Sequence, residues 1–138
     1  MNRWLFKTDP DTYSWQDLLK VKWEVWDGVA NPLALKHLRS VKKGDSILIY
    51  HTGDEKSVMG IAKALSDGYA DPSDKSGKSA VVDLAPEKEL KHPVTLAQIK
   101  SNSKLASWEL VKISRLSVMP ATLAQWDEVI RLSSSAHE

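Results

Sequence analysis

The segment Trp4-Leu5-Phe6-Lys7-Thr8-Asp9-Pro10, taken with Trp26-Asp27-Gly28-Val29-Ala30-Asn31, decides how this chain folds. Arg3 to Thr8 reads as a strand, with Trp4 and Phe6 on one face. Pro10 cannot continue a ladder, so the strand ends at Lys7-Thr8 with its last backbone groups open to a ligand. Trp26 offers a flat aromatic face followed at once by compact polar residues. Asp27, Thr8 and Asn31 add acceptors and donors of the kind that read the edge of a nucleobase. A packing explanation competes, in which Trp4, Phe6 and Trp26 are core residues and Asn31 only caps a helix.

Working outward, Ser14 with Asp17 forms a capping box for a short helix to about Lys20. Asn31-Pro32 combines the preferred cap with proline at the first helical position, and predicts a helix through Leu35 and Leu38 to about Arg39. Lys43-Gly44-Asp45 is a turn. Ser46 to His51 is an apolar strand, and Ser57 to Ser66 is its hairpin partner beyond Gly53-Asp54. Residues 67–79 read as a loop, and Ala80 to Glu89 as a strand. Thr95 with Gln98, and Thr122 with Gln125, are capping boxes for helices over Leu96 to Lys100 and through Trp126 and Val129 to about Leu132. Asn102 or Ser103 opens a turn before Trp108, Leu110 to Val118 is strand-like, and Ser133 to Glu138 is a frayed tail. About five strands joined by short helices, with no regular βαβ alternation, favour a closed mixed barrel of the α+β class.

Six of the ten aromatic residues are tryptophans, four of them within the first 26 positions, which suggests one aromatic wall. Trp15, Trp23, Trp108 and Trp126 have apolar neighbours in register and are expected to pack. With 138 residues, 42% of them hydrophobic, the chain supports one domain, residues 1–138, with one core. No apolar run approaches a membrane span, and the N-terminus lacks signal-peptide character, so a cytosolic (cytoplasmic) protein without membrane association is expected. Zero cysteines exclude disulfides, thiol nucleophiles and cysteine-ligated metals. Nineteen basic residues against eighteen acidic ones give a net charge of +1. That is no indiscriminate phosphate binder, so nucleic-acid affinity has to come from a pocket and a local patch. Lys36, His37, Arg39, Lys42 and Lys43 are the densest basic group, either rimming a backbone track or forming a solvated helix end.

The two opening segments combine in order with Leu48-Ile49-Tyr50-His51, Gly60-Ile61-Ala62, Tyr69-Ala70-Asp71-Pro72, Pro93-Val94-Thr95-Leu96 and Arg115-Leu116-Ser117-Val118-Met119-Pro120. On these seven segments, spread almost end to end, the chain resembles the EVE domain of the PUA-like superfamily, related to the YTH readers of methylated adenine. The resemblance implies an α+β, PUA-like mixed β-barrel of about five or six strands with short flanking helices. It also implies recognition of modified bases in DNA or RNA through an aromatic pocket. Carried over to this chain, Lys7, Thr8, Trp26 and Asp27 line that pocket, with Trp26 as stacking platform. Asn31 either caps the Pro32 helix or touches the base. The family often has an aromatic or polar residue after this asparagine, and Pro32 departs from that pattern.

Tyr50 and His51 end a strand where the barrel opens towards its loops. The histidine is either a contact to phosphate or base, or structural. YTH readers complete their cage from the region equivalent to Tyr69, which is therefore the candidate second wall. The missing tryptophan in Ser79-Ala80-Val81-Val82-Asp83 suggests a more open cage. Arg115 and Ser117, on a strand entering Pro120, are candidates for a flanking phosphate, with Arg115 as partner of a barrel carboxylate the alternative.

No Gly-x-Ser-x-Gly, P-loop, Gly-x-Gly-x-x-Gly or His-Glu-x-x-His motif occurs. Asp83 with Glu89-Leu90-Lys91 weakly resembles the acid-plus-Glu-x-Lys pattern of metal-dependent nucleases. The expectation is a non-enzymatic, monomeric binding domain, without cofactor or metal, for a methylated or otherwise modified cytosine or adenine. A PUA-type module for structured RNA and a protein-interaction domain with a vestigial cleft are the alternatives.

Overall fold

The computed structural model describes residues 2–135. In chain order the elements are β1 (Arg3–Thr8), α1 (Trp15–Val21), β2 (Glu24–Trp26), α2 (Pro32–Ser40), β3 (Ser46–His51), β4 (Ser57–Ala64), β5 (Tyr69–Ala70), β6 (Ala80–Thr95), α3 (Leu96–Lys100), α4 (Glu109–Lys112), β7 (Val118–Pro120) and α5 (Leu123–Ser135). The strand order is β2-β6-β4-β3-β1-β7, and β5 pairs separately with the start of β6. β1 and β3 are parallel, with Trp4 opposite Ile47 and Thr8 opposite His51. A parallel pair needs a long crossover, which α1, β2 and α2 provide. The other ladders along the order are antiparallel.

The sheet is strongly curled. Three strands separate β2 from β1 in the order, so a flat sheet at about 4.8 Å per strand would hold them roughly 19 Å apart. Instead the Trp26 ring on β2 lies 5.9 Å from the Phe6 ring on β1. The curl follows from sheet twist and from the register shifts in the β3–β4 and β4–β6 ladders. The expected closed barrel is a half-barrel, because no ladder joins β2 to β1 or β7 among the described residues. The α+β class holds, with five short helices around the sheet.

Local capping chemistry sets the helices. Ser14 and Asp17 exchange both capping-box bonds at α1, as Thr95 and Gln98 do at α3 and Thr122 and Gln125 do at α5. Leu5, Phe6, Ile47, Leu48, Ile49, Leu84 and Trp15 are buried, with successive residues of each strand packing on opposite faces of the sheet. Trp15 lies flat on β4 over Gly60, where an added Cβ would sit 2.4 Å from its ring. Asp45 is buried but satisfied, accepting from the Trp4 indole N–H at 2.9 Å and from the backbone N–H groups of Asn2 and Lys42.

Several expectations are corrected. Leu110 to Val118 is not a strand, since α4 and a turn occupy most of it and only Val118–Pro120 pairs with β1. β6 runs on past Glu89 to Thr95, because β4 pairs with it along its length. The Ser133 tail stays helical to Ser135, where the buried Ser133 hydroxyl accepts from the His92 N–H. Residues 136–138 lie outside the described residues. Trp15 and Trp108 are buried and Trp126 packs against the core, but Trp23 is 55% exposed. Lys22 ends α1 in a left-handed conformation and turns the chain outward before β2 begins. Asn102, not Ser103, opens the turn before Trp108, accepting from the Lys104 N–H.

Candidate nucleic-acid interface

The unclosed seam of the half-barrel is a cleft of about 490 Å³. One wall is the end of β1 and the turn after it, Lys7, Thr8, Asp9, Thr12 and Tyr13. The other is β2 and its continuation, Glu24 to Val29, with Ser117 closing one side. The volume lies within the range of small-ligand pockets.

The turn that carries Tyr13 is tied to the strand end. The Thr8 hydroxyl donates to the Tyr13 carbonyl at 2.6 Å, and the Asp9 carbonyl accepts from the N–H groups of Thr12 and Tyr13. Lys7 donates its backbone N–H to the Ser117 carbonyl and its ammonium to the Ser114 carbonyl, both in the segment that leads into β7 on the same side of the seam. Burial pushes the Lys7 ammonium pKa down. On the facing strand Glu24 and Trp26 are two residues apart and so share a side. Trp26 is only 7% exposed, tilted against Phe6 and meeting Tyr13 edge-on at 6.0 Å. It is therefore a core residue whose remaining margin forms cleft wall, not a free-standing platform. Gly28 follows with a φ of +75°, a left-handed turn that bends the chain out of β2.

Five of the expected site residues thus converge here: Lys7, Thr8, Trp26, Asp27 and Ser117. The other five lie elsewhere. Asn31 caps α2, its side chain accepting from the Leu33 and Ala34 N–H groups. Tyr50 and His51 are 3% and 1% exposed, so neither reaches a ligand directly. His51 Nε2 accepts the Trp15 N–H at 2.9 Å, which places the ring proton on Nδ1, 3.3 Å from Glu55. Tyr69 sits on β5 and donates to Asp83 at 2.7 Å, away from the cleft. Arg115 is exposed on the turn between α4 and β7, because the strand expected there does not form. The nuclease-like pattern is pulled apart: Asp83 and Glu89 lie on one extended strand about 20 Å apart, and Glu89 holds the Trp15 indole N–H.

The reading of the sequence missed Tyr13 and Glu24. Burial first, and then the neighbouring Glu24 carboxylate, push the Tyr13 phenol up to about 12. Spacing from Trp26 was the one signal for Glu24. Tyr13 had none, since only tertiary folding brings it to β2. Beyond Gly28 and Val29, which line both, lies a second cleft of about 660 Å³ bounded by Pro32, Leu35, Arg39, Asp74, Lys78 and Ser79. The Arg39 guanidinium donates to the Lys78 carbonyl there. Hydrogen bonds from Ser76 and Ser79 hold Asp74 below the usual carboxylate range.

A curled mixed half-barrel with short flanking helices and an aromatic and polar cleft at its seam defines a class of small α+β domains. Within that class the chain belongs to the EVE domain family, whose profile matches residues 2–132. It is similar to Rpa0253 from Rhodopseudomonas palustris, with 37% identity, a TM-score of 0.92 and coverage of 100% of this chain and 99% of that one. It is similar to human thymocyte nuclear protein 1, with 27% identity over 95% of this chain and 73% of that protein. It is also similar to human THYN1 in its complex with 5-methylcytosine-containing DNA, with 27% identity, a TM-score of 0.89 and coverage of 98% of this chain and 99% of that chain.

Proposed function

We propose that this chain is a non-catalytic reader of modified bases, which takes one base out of its stack into the seam cleft. The observation that carries the reading is the convergence of Lys7, Thr8, Trp26, Asp27 and Ser117, from three separate parts of the chain, on one cleft of about 490 Å³. The likeness to human THYN1 bound to 5-methylcytosine-containing DNA supports DNA as carrier and a methylated cytosine as the base. The charge of the cleft supports it independently. Asp9, Glu24 and Asp27 line it against the single cation Lys7, so a phosphate is disfavoured inside while a base with N–H donors is welcome. The backbone then passes outside, over the shared Gly28–Val29 wall towards Arg39 and Lys78 in the second cleft.

Titration of the intact chain with matched DNA and RNA strands carrying one modified or unmodified base tests this. Tighter binding of the modified DNA strand is expected. Equal affinity for all four strands contradicts the reading, and preference for structured RNA irrespective of modification favours a PUA-type RNA module instead.

A further inference from the structure

The seam cleft holds one carboxylate that is neither on the rim nor neutralised. Asp27 is exposed, and Asp9 is exposed with one oxygen engaged by the Asp11 N–H. Glu24 is half-buried on β2, on the same side as Trp26, and its Oε1 accepts from the Val25 N–H at 3.0 Å. That bond pins the carboxylate at the cleft wall and leaves most of its acceptor capacity unfilled. Beside it, the buried Tyr13 hydroxyl has no hydrogen-bond partner of good geometry. Buried polar groups are normally paired, and the Glu24 carboxylate is the acceptor beside this hydroxyl. The phenol, pushed up to about 12, keeps its proton at neutral pH and stays a donor towards Glu24.

We infer that Glu24 is the specificity-determining residue of the cleft, accepting the exocyclic amino group of the bound base and so selecting amino bases over keto bases, with Tyr13 as the positioning residue that orients its carboxylate. The inference rests on the proposed base-reading function and goes beyond it by naming the edge that is read. A fixed carboxylate attracts the 4-amino group of a cytosine or the 6-amino group of an adenine and repels the 4-keto oxygen of a thymine or uracil. Glu24 and Trp26 share a side of β2, so a base lying against the Trp26 margin meets Glu24 with its edge.

5-Methylcytosine and thymine carry the same ring and the same 5-methyl group, and differ at the 4-position, amino against keto, and in the protonation of N3. Two otherwise identical single DNA strands, one with each base at the central position, isolate the effect. The intact protein should bind the 5-methylcytosine strand at least about tenfold more tightly. Glu24→Gln, whose amide can present either a donor or an acceptor, should fold normally and bring the ratio close to unity. Tyr13→Phe should lower the ratio by a smaller factor, weakening 5-methylcytosine binding without weakening thymine binding, whereas general loosening of the fold would weaken both. Equal binding of both strands by the unaltered protein overturns this inference while leaving base reading intact. A ratio that survives Glu24→Gln does the same, and binding of neither strand overturns both.

Discussion

Trp26 is where packing and binding coincide, and truncating it has a calculable consequence. The side chain is 7% exposed, tilted against Phe6 at 5.9 Å and edge-on to Tyr13 at 6.0 Å. Trp26→Ala removes that packing and leaves a cavity at the seam, a loss of about 3 to 5 kcal/mol of stability. For a domain of this size that corresponds to a drop in melting temperature of roughly 10 to 20 °C. It also removes the wall against which a base would lie, so affinity per folded molecule should fall about ten- to hundredfold. Trp26→Phe retains one ring and should cost less, on the order of 1 to 2 kcal/mol, keeping enough folded protein for titration. Thermal unfolding and modified-strand titration on the same samples supply both numbers. A Trp26→Phe protein that loses stability but binds with unchanged affinity per folded molecule refutes the assignment of Trp26 to the binding wall. A Trp26→Ala protein with unaltered melting refutes its place in the core.

Three further outcomes follow from the geometry. With two or three phosphate contacts outside the cleft, log affinity should fall with log salt at a slope of about −2 to −3, and Arg39→Ala should make it shallower by about 1; a slope near −8 would mark a phosphate-track binder. Gly60→Ala places a methyl group against the buried Trp15 ring, whose indole N–H is held by Glu89 and whose backbone N–H is held by His51, so a loss of about 1 to 3 kcal/mol is expected in chemical denaturation, and no loss would contradict the packing. Arg131 first, and then Asn102, hold the Glu128 carboxyl down at about 2. Its contribution is full above the unfolded value of about 4.3 and is lost as pH falls from there through about 2. The melting temperatures of the unaltered protein and Glu128→Gln should therefore converge over that window, and a gap constant from pH 7 to pH 2 would contradict the pairing.

How much could be read beforehand depended on whether the determining chemistry was local. Capping is local, and Ser14, Asn31, Thr95 and Thr122 all start helices where their side chains said they would. β1 and β3 were equally legible, because alternation or an apolar run bounded by turns specifies a strand. The segment from Leu110 misled because its branched apolar residues suit a strand, while the edge of β1 offers pairing to only three residues. Trp23 misled because a left-handed Lys22 is invisible in composition. Lys7, Thr8, Trp26, Asp27 and Ser117 were expected at the site from strand ends and from the family resemblance, and they line one cleft. Tyr50 and His51 sit at a strand end too, but their side chains point into the core, which the strand end alone does not reveal. Tyr13 depends on a turn folding back over Thr8, and that contact is tertiary.

The central claim is that a modified base enters the seam beside Trp26. Six tryptophans give six indole N–H resonances, which act as position-specific reporters. Titration of isotopically labelled protein with a DNA strand carrying a single 5-methylcytosine, and with its unmodified counterpart, tests the claim most directly. The account predicts that the Trp26 indole shifts progressively with the modified strand and much less with the unmodified one, while Trp15 and Trp108, held by Glu89 and by the Pro120 carbonyl, stay in place. Shifts confined to the exposed Trp23, equal for both strands, would contradict it.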